Sequence, residues 1–148
     1  MDKNWLNFKT VIVTGASSGM GKGIAEKLIK VHGCNVIGIA RSEKKMKTFV
    51  EELGEYADRF SYQLFDVSSL ENWVNFRQYL EDNHIKPDIL INNAGILPKF
   101  DKFQHYTIEE IESAMNINFY SAVYSMHTLL PLLLKSPSAA IINVDSSA

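Results

Sequence analysis

Thr10-Val11-Ile12-Val13-Thr14-Gly15-Ala16-Ser17-Ser18-Gly19-Met20-Gly21-Lys22-Gly23 is the stretch on which the reading of this chain turns. The β-branched run Val11-Ile12-Val13 stops at Gly15, and a helical pattern opens near Gly19. A buried strand, a tight glycine turn and a helix start are the expected elements. Gly15, Gly19 and Gly21 carry no Cβ, so another group can lie close to the backbone there. The first turn of a helix offers unpaired N–H groups and the positive end of its dipole, which suits a phosphate. The stretch therefore predicts a dinucleotide pyrophosphate seated on the turn. A Walker-type phosphate loop would need glycine at position 16 and serine or threonine at position 23, where the chain has Ala16 and Gly23.

At 148 residues the chain is most simply one domain, long enough to bury a real core. A hydrophobic content of 46% is that of a globular protein, and a net charge of −2 is too small to steer it to nucleic acid or an anionic membrane. Cys34 is the only cysteine, which excludes an intrachain disulfide and a cysteine-based metal site. His32, His84, His105 and His127 are scattered without ligand spacing, so no metal site is expected. The N-terminus, Met1-Asp2-Lys3-Asn4-Trp5, has no secretory-type apolar segment and no run reaches membrane-spanning length, so the expected setting is a reducing cytoplasm.

Beyond the turn, Ile24, Ala25, Leu28 and Ile29 recur at helical spacing up to Gly33, which fits a helix end. Residues 34–40 read as a second strand, apolar through its centre as in a parallel sheet covered on both faces. Ser42 is placed to cap a helix with the stripe Met46, Phe49, Val50 and Leu53. Residues 60–67 read as a third strand, and Ser68-Ser69-Leu70-Glu71 as a capping box for a helix carrying Leu70, Trp73, Val74 and Leu80. Pro87-Asp88-Ile89-Leu90-Ile91 opens a fourth strand, ending at Asn92-Asn93-Ala94-Gly95. After a loop to about Tyr106, Thr107-Ile108-Glu109-Glu110 is a second capping box. The helix it starts is expected over 108–134, kinked or ended early by Pro131, and residues 139–144 read as a fifth strand. This alternation predicts an α/β fold, a doubly wound parallel sheet in the order 3-2-1-4-5. Ligands bind beyond the carboxyl ends of such strands, where the Gly15 turn, Arg41, Asp66, residues 92–95 and Ser146 all fall.

With Thr14-Gly15-Ala16-Ser17-Ser18-Gly19-Met20-Gly21 and Asn92-Asn93-Ala94-Gly95 both at strand ends, the sequence resembles the short-chain dehydrogenase/reductase family, whose signatures are Thr-Gly-x-x-x-Gly-x-Gly and Asn-Asn-Ala-Gly. The resemblance runs along essentially the whole chain but covers only the N-terminal portion of the family's length. It implies a Rossmann fold and hydride transfer between a nicotinamide dinucleotide and a secondary alcohol or ketone. It also implies that Gly15, Ser17, Ser18, Gly19, Met20 and Gly21 surround the pyrophosphate and adenosine ribose. Asp66 and Val67 would lie at the adenine, and Asn93, Ala94 and Gly95 beside the riboses. Asn118 stands at the family's helix asparagine, which helps hold a proton-relay water, with Asn116 as its neighbouring rival. Ser146 matches the catalytic serine, with Ser147 the alternative one residue on, and Asp145 stands where a second serine is common. The family's dimers predict a homo-oligomer that packs through the helix from Ile108.

Arg41 bears on the choice of dinucleotide. An NAD site places an acid at the end of strand two to bond the ribose 2′-hydroxyl, and here the region reads Ile39-Ala40-Arg41-Ser42. A small Ala40 beside a planar, permanently charged guanidinium suits a 2′-phosphate, so NADP(H) is expected over NAD(H). The family's Tyr-x-x-x-Lys, whose tyrosine exchanges a proton with the substrate oxygen, is absent: none of the six tyrosines has a lysine four places on. The sequence thus predicts an N-terminal portion lacking the family's last strands, with an uncovered apolar fifth strand. Such a chain is expected to bind cofactor without turnover. The alternative is a non-catalytic nucleotide-binding or dimerising fragment.

Overall fold

The computed structural model describes residues 4–146. Five parallel strands, β1 (Thr10–Thr14), β2 (Asn35–Ala40), β3 (Phe60–Leu64), β4 (Ile89–Asn92) and β5 (Ala140–Asn143), stand in the order β3-β2-β1-β4-β5. This is the doubly wound Rossmann arrangement expected from the sequence. β1 is central and pairs on both sides, Ile12 lying opposite Ile37 of β2 and Leu90 of β4. Its three inner residues have no exposed surface at all.

Alternation along the strands divides the core in two. Val11, Val13, Val36, Ile89 and Ile91 face one side, where α1 (Gly19–Lys30) adds Ala25 and Ile29 and α2 (Glu43–Leu53) adds Met46, Phe49 and Leu53. Ile12, Ile37, Ile39 and Leu90 face the other, under Trp73, Phe76 and Leu80 of α3 (Leu70–Asp82) and Leu129, Leu132 and Leu133 of α5 (Ser121–Leu133). The stripes read for α1 and α2 are therefore faces packed against one strand phase, whereas on α3 Trp73 and Leu80 are buried with Phe76 but Leu70 and Val74, read as part of the same stripe, are exposed.

The termini of the elements correct the sequence reading in three places. The third strand closes at Leu64, because the chain turns at Asp66, whose carboxylate accepts the Ser68 amide at 2.9 Å and its hydroxyl at 2.7 Å. With Ser68 occupied there, the cap of α3 is Ser69, which accepts the Asn72 amide, so the box expected from Ser68 to Glu71 does not form. The long helix expected over 108–134 runs on to Leu133 with a π turn inside it, and Pro131 does not end it early. α4 (Ile108–Met115) passes through a wide π turn at Asn116–Tyr120 into α5, and Pro131 sits inside α5, whose end comes only at Leu133. A π turn inserts an extra residue into the helix, and Asn118 lies exposed within it. The capping box at Thr107 and Glu110 forms as read. No helix among the described residues is long and apolar enough to cross a membrane.

Candidate functional site

The carboxyl ends of β1 and β4 diverge where the helices leave for opposite faces, and a cleft of about 340 Å³ opens there. Its floor is the glycine turn. Gly15 and Gly19 hold φ of +68° and +54°, the left-handed region that side chains disfavour. The turn is pinned from both sides: the Gly15 amide donates to Ile39 O at 2.9 Å, and Thr14 ties it to β4. The buried Thr14 hydroxyl oxygen accepts both the Asn93 and Ala94 amides at 2.9 Å, while Asn93 Nδ2 donates to Thr14 O at 3.2 Å. The two signature stretches thus form one bonded unit.

The cap of the helix above this turn is unlike those of α2, α3 and α4. Ser42, Ser69 and Thr107 each turn their hydroxyl oxygen onto an amide of the helix they start. Ser18, at the start of α1, makes no such bond, and α1 has no acid in its first turn. Its N–H groups and dipole therefore face the cleft without a side-chain cap or a neutralising carboxylate. A cradle with Cβ-free positions beneath an uncapped helix start fits an anionic diphosphate.

Most residues singled out from the sequence meet here. Gly15, Ser17, Ser18, Met20, Arg41, Asp66, Val67, Asn93, Ala94 and Gly95 all line the cleft. Gly19 instead lines an adjoining groove. Gly21 reaches neither, because it is a packing position: a Cβ there would stand 2.3 Å from Gly15 O and 2.4 Å from Asn93 Nδ2. Ile39, Phe65, Ile96 and Ile117 also line the cleft and were not singled out. They are apolar residues beside strand ends or in the helix turn, and nothing in their type separates them from core. Asp66 serves its own turn as well as the cleft wall. The Ser68 amide holds its carboxyl below the usual carboxylate range, against the upward push of burial, with the Ser68 hydroxyl and Arg41 adding to the effect.

Asn118 and Ser146 lie outside this cleft. Asn118, rather than Asn116, projects from the π turn and grips the loop after β4: Oδ1 accepts the Ile96 amide at 2.7 Å and Nδ2 donates to Ile96 O at 2.8 Å. Both ends of its amide are engaged by protein, so the side chain braces the cleft wall. A second cavity of about 240 Å³ adjoins the cleft at Ala94 and is lined by Asn118, Asn92, Asn143 and Asp145 among others. Beneath it runs a polar chain that the sequence reading missed. The wholly buried Ser125 of α5 donates to Asn92 Oδ1 at 2.7 Å, and Asn92 Nδ2 donates to Asn143 Oδ1 at 2.9 Å. Ser146 stands exposed beyond β5, its amide on Asp145 Oδ1 at 2.7 Å, and Ser147 falls outside the described residues. Among the described residues no three His, Cys, Asp or Glu side chains gather into a possible metal site.

A parallel sheet with a glycine-turn crevice at its switch point defines a protein of the Rossmann class. The chain belongs to the short chain dehydrogenase family, whose profile matches residues 9–148. It is 30% identical over 138 residues to an NADPH-dependent pterin aldehyde reductase of Arabidopsis thaliana, a match covering 93% of this chain and 56% of that protein. It is also 30% identical over 146 residues to a benzil reductase of Saccharomyces cerevisiae, covering 95% and 55%. A crystal structure of a short chain dehydrogenase from Shigella flexneri complexed with NADP superposes with a TM-score of 0.89 at 28% identity, covering 97% of this chain and 61% of that one. The chain thus spans little more than half the length of the relatives it matches.

Proposed function

We propose that residues 1–148 form one nucleotide-binding unit of an NADP(H)-dependent oxidoreductase, acting between the nicotinamide and a secondary alcohol or ketone. The observation that carries this reading is the uncapped start of α1 over the Gly15 turn, open to a cleft that also holds Arg41. Ser17, Ser18, Gly19 and Met20 would meet the pyrophosphate, and Asp66 and Val67 the adenine. Asn93, Ala94 and Gly95 would lie along the riboses. Arg41 would take the 2′-phosphate, since a guanidinium fork pairs with phosphate oxygens through two hydrogen bonds. The NADP in the Shigella flexneri relative and the NADPH named for the Arabidopsis thaliana reductase support that preference.

When bound, the nicotinamide supplies or accepts the hydride. This chain's own residues would orient and enclose it. Asn118 holds the loop at Ile96 against the cleft, and Ser146 would donate its hydroxyl proton in a hydrogen bond to the substrate oxygen, stabilising charge that develops there. No tyrosine of this sequence is followed by lysine at the family's spacing, so the 148-residue chain is expected to bind the dinucleotide without turnover. Exposed Val123, Leu130 and Leu134 on α5 and just beyond it favour self-association as well.

NADPH fluorescence titration tests the reading. The chain should bind NADPH in preference to NADH, and Arg41→Ala should weaken NADPH by about tenfold or more while sparing NADH. No binding, or equal loss for both nucleotides, would refute it. Turnover of any carbonyl above background would refute the expectation of binding alone.

A further inference from the structure

The adjoining groove that Gly19 lines is a shelf of about 500 Å³, shared with the cleft through Ser17 and Ser18 and floored by the first turns of α2. Lys22, Lys44 and Lys45 line it with Ser42 and Thr48. The lysines differ in their partners. Lys22 is paired with Glu52, and Lys47, one turn along α2, with Glu43 at 2.9 Å. The exposed ammonium groups of Lys44 and Lys45 have no carboxylate partner among the described residues. The helix end itself is already satisfied, because Ser42 caps the Lys45 amide. What the shelf offers is therefore side-chain charge.

Charge balance gives that surplus a purpose. A phosphate monoester carries about −1.5 to −2 at neutral pH. Arg41 supplies one positive charge, but Asp66 lines the same cleft with one negative charge, and the two groups feel each other's field. Arg41 and Asp66 together leave a monoester uncompensated. The paired Lys22–Glu52 and Lys47–Glu43 add nothing net. Lys44 and Lys45 supply two uncancelled charges within the segment that follows Arg41 directly.

We propose that Lys44 and Lys45 are a second determinant of 2′-phosphate selectivity, acting beside Arg41 from the α2 shelf. The inference rests on the NADP(H) reading above and adds which residues set its preference. The two lysines discriminate by charge rather than by bidentate fit, so their effect is screened by salt more readily than that of Arg41.

The test titrates the whole chain with NADPH and with NADH at low and high salt, for the wild type, Lys44→Gln/Lys45→Gln and Lys44→Arg/Lys45→Arg. At low salt the glutamine pair should lose about tenfold in NADPH affinity and stay within about twofold for NADH. The loss should shrink at high salt, and the arginine pair should bind as the wild type does. Unchanged NADPH binding, or parallel loss of both nucleotides, overturns the inference while leaving Arg41 in place. A wild-type chain that binds NADPH no better than NADH overturns the underlying reading and this inference with it. Both side chains are exposed, and circular dichroism checks that the variants fold.

Discussion

β3 and β5 are the two edges of the sheet, and each offers one unpaired backbone edge among the described residues. β3 reads Phe60-Ser61-Tyr62-Gln63-Leu64, with Phe60 buried against the Phe49 ring at 4.8 Å and polar residues between. β5 reads Ala140-Ile141-Ile142-Asn143, yet Ile141 is 36% and Ile142 48% exposed. β3 has the composition of an edge that lives beside water, whereas β5 has that of an interior strand covered on both faces. The site divides along the same line. The cleft beside β1, β2 and the end of β3 is walled and hydrogen-bonded, whereas the cavity beside β4 and β5 ends in exposed Asp145. The two halves meet at the Thr14–Asn93 junction.

The strongest way to break that division is at the junction. Gly21→Ala would drive a methyl group into Gly15 O and Asn93 Nδ2, both held by backbone or bonded side chain. A cost of about 3 kcal/mol in urea unfolding is expected, at the upper end for overpacking. Gly23→Ala, two residues on in the same helix, meets nothing within 4 Å and should stabilise by about 0.5–1 kcal/mol. Equal effects at the two positions would mean that the turn is not packed as described.

The next test separates the halves. Asn92→Ala strands the buried Ser125 hydroxyl from one of its two acceptors and removes the side-chain bond from β4 to Asn143. A loss of about 2 kcal/mol is expected. Amide hydrogen exchange should rise more in β5 than in β3, and uniform loss of protection would contradict an independently fastened β5 half.

The fold and the cleft were legible for one reason: they depend on local pattern. Val11-Ile12-Val13 before Gly15 and Ile89-Leu90-Ile91 before Asn92 mark strand ends, and strand ends in such a sheet converge whatever the helices do. Signals that depend on two distant groups were not legible. Whether Ser68 or Ser69 caps α3 was settled by the competing carboxylate of Asp66. The π turn in the long helix holds Asn118, whose partner Ile96 lies 22 residues away. Pro131 reads as a helix breaker, but α5 runs on past it to Leu133, losing only the one bond that a residue 131 amide would make to the turn before. Gly21 belongs to the motif through packing, and a motif does not say which of its glycines faces the ligand.

At the opposite ends of the strands, Asp88 ties the halves together a second time. Its carboxylate accepts the Thr10 amide at 2.9 Å and the Ser136 hydroxyl at 2.5 Å, with Lys9 at 3.4 Å. Burial pushes its pKa up, but the Ser136 and Thr10 bonds and then Lys9 outweigh it and hold the carboxyl below its ordinary value. A folded value below the unfolded one means stability that is present above the unfolded value and lost as the pH falls through the folded one. Asp88→Asn should cost about 1 kcal/mol at neutral pH. It should also flatten the acid side of the stability profile below about pH 4. An unchanged acid limb would remove Asp88 as its source.

The smallest change in stability should come with the clearest contrast between the edges. Ile142 is already half in water, so Ile142→Lys should shift unfolding by no more than about 0.5 kcal/mol. If the apolar β5 edge drives association, however, a charge there should abolish it, because a lysine on an edge strand opposes pairing with another chain. Sedimentation velocity across a concentration series should show the wild type associating and the variant monomeric. Gln63→Lys on β3 should leave association as in the wild type, since that edge is already polar. Equal suppression by both substitutions would point to net charge as the cause. Persistence of association in Ile142→Lys would move the contact to the exposed apolar face of α5, where Val123 and Leu130 stand. Either result assigns the association to a surface.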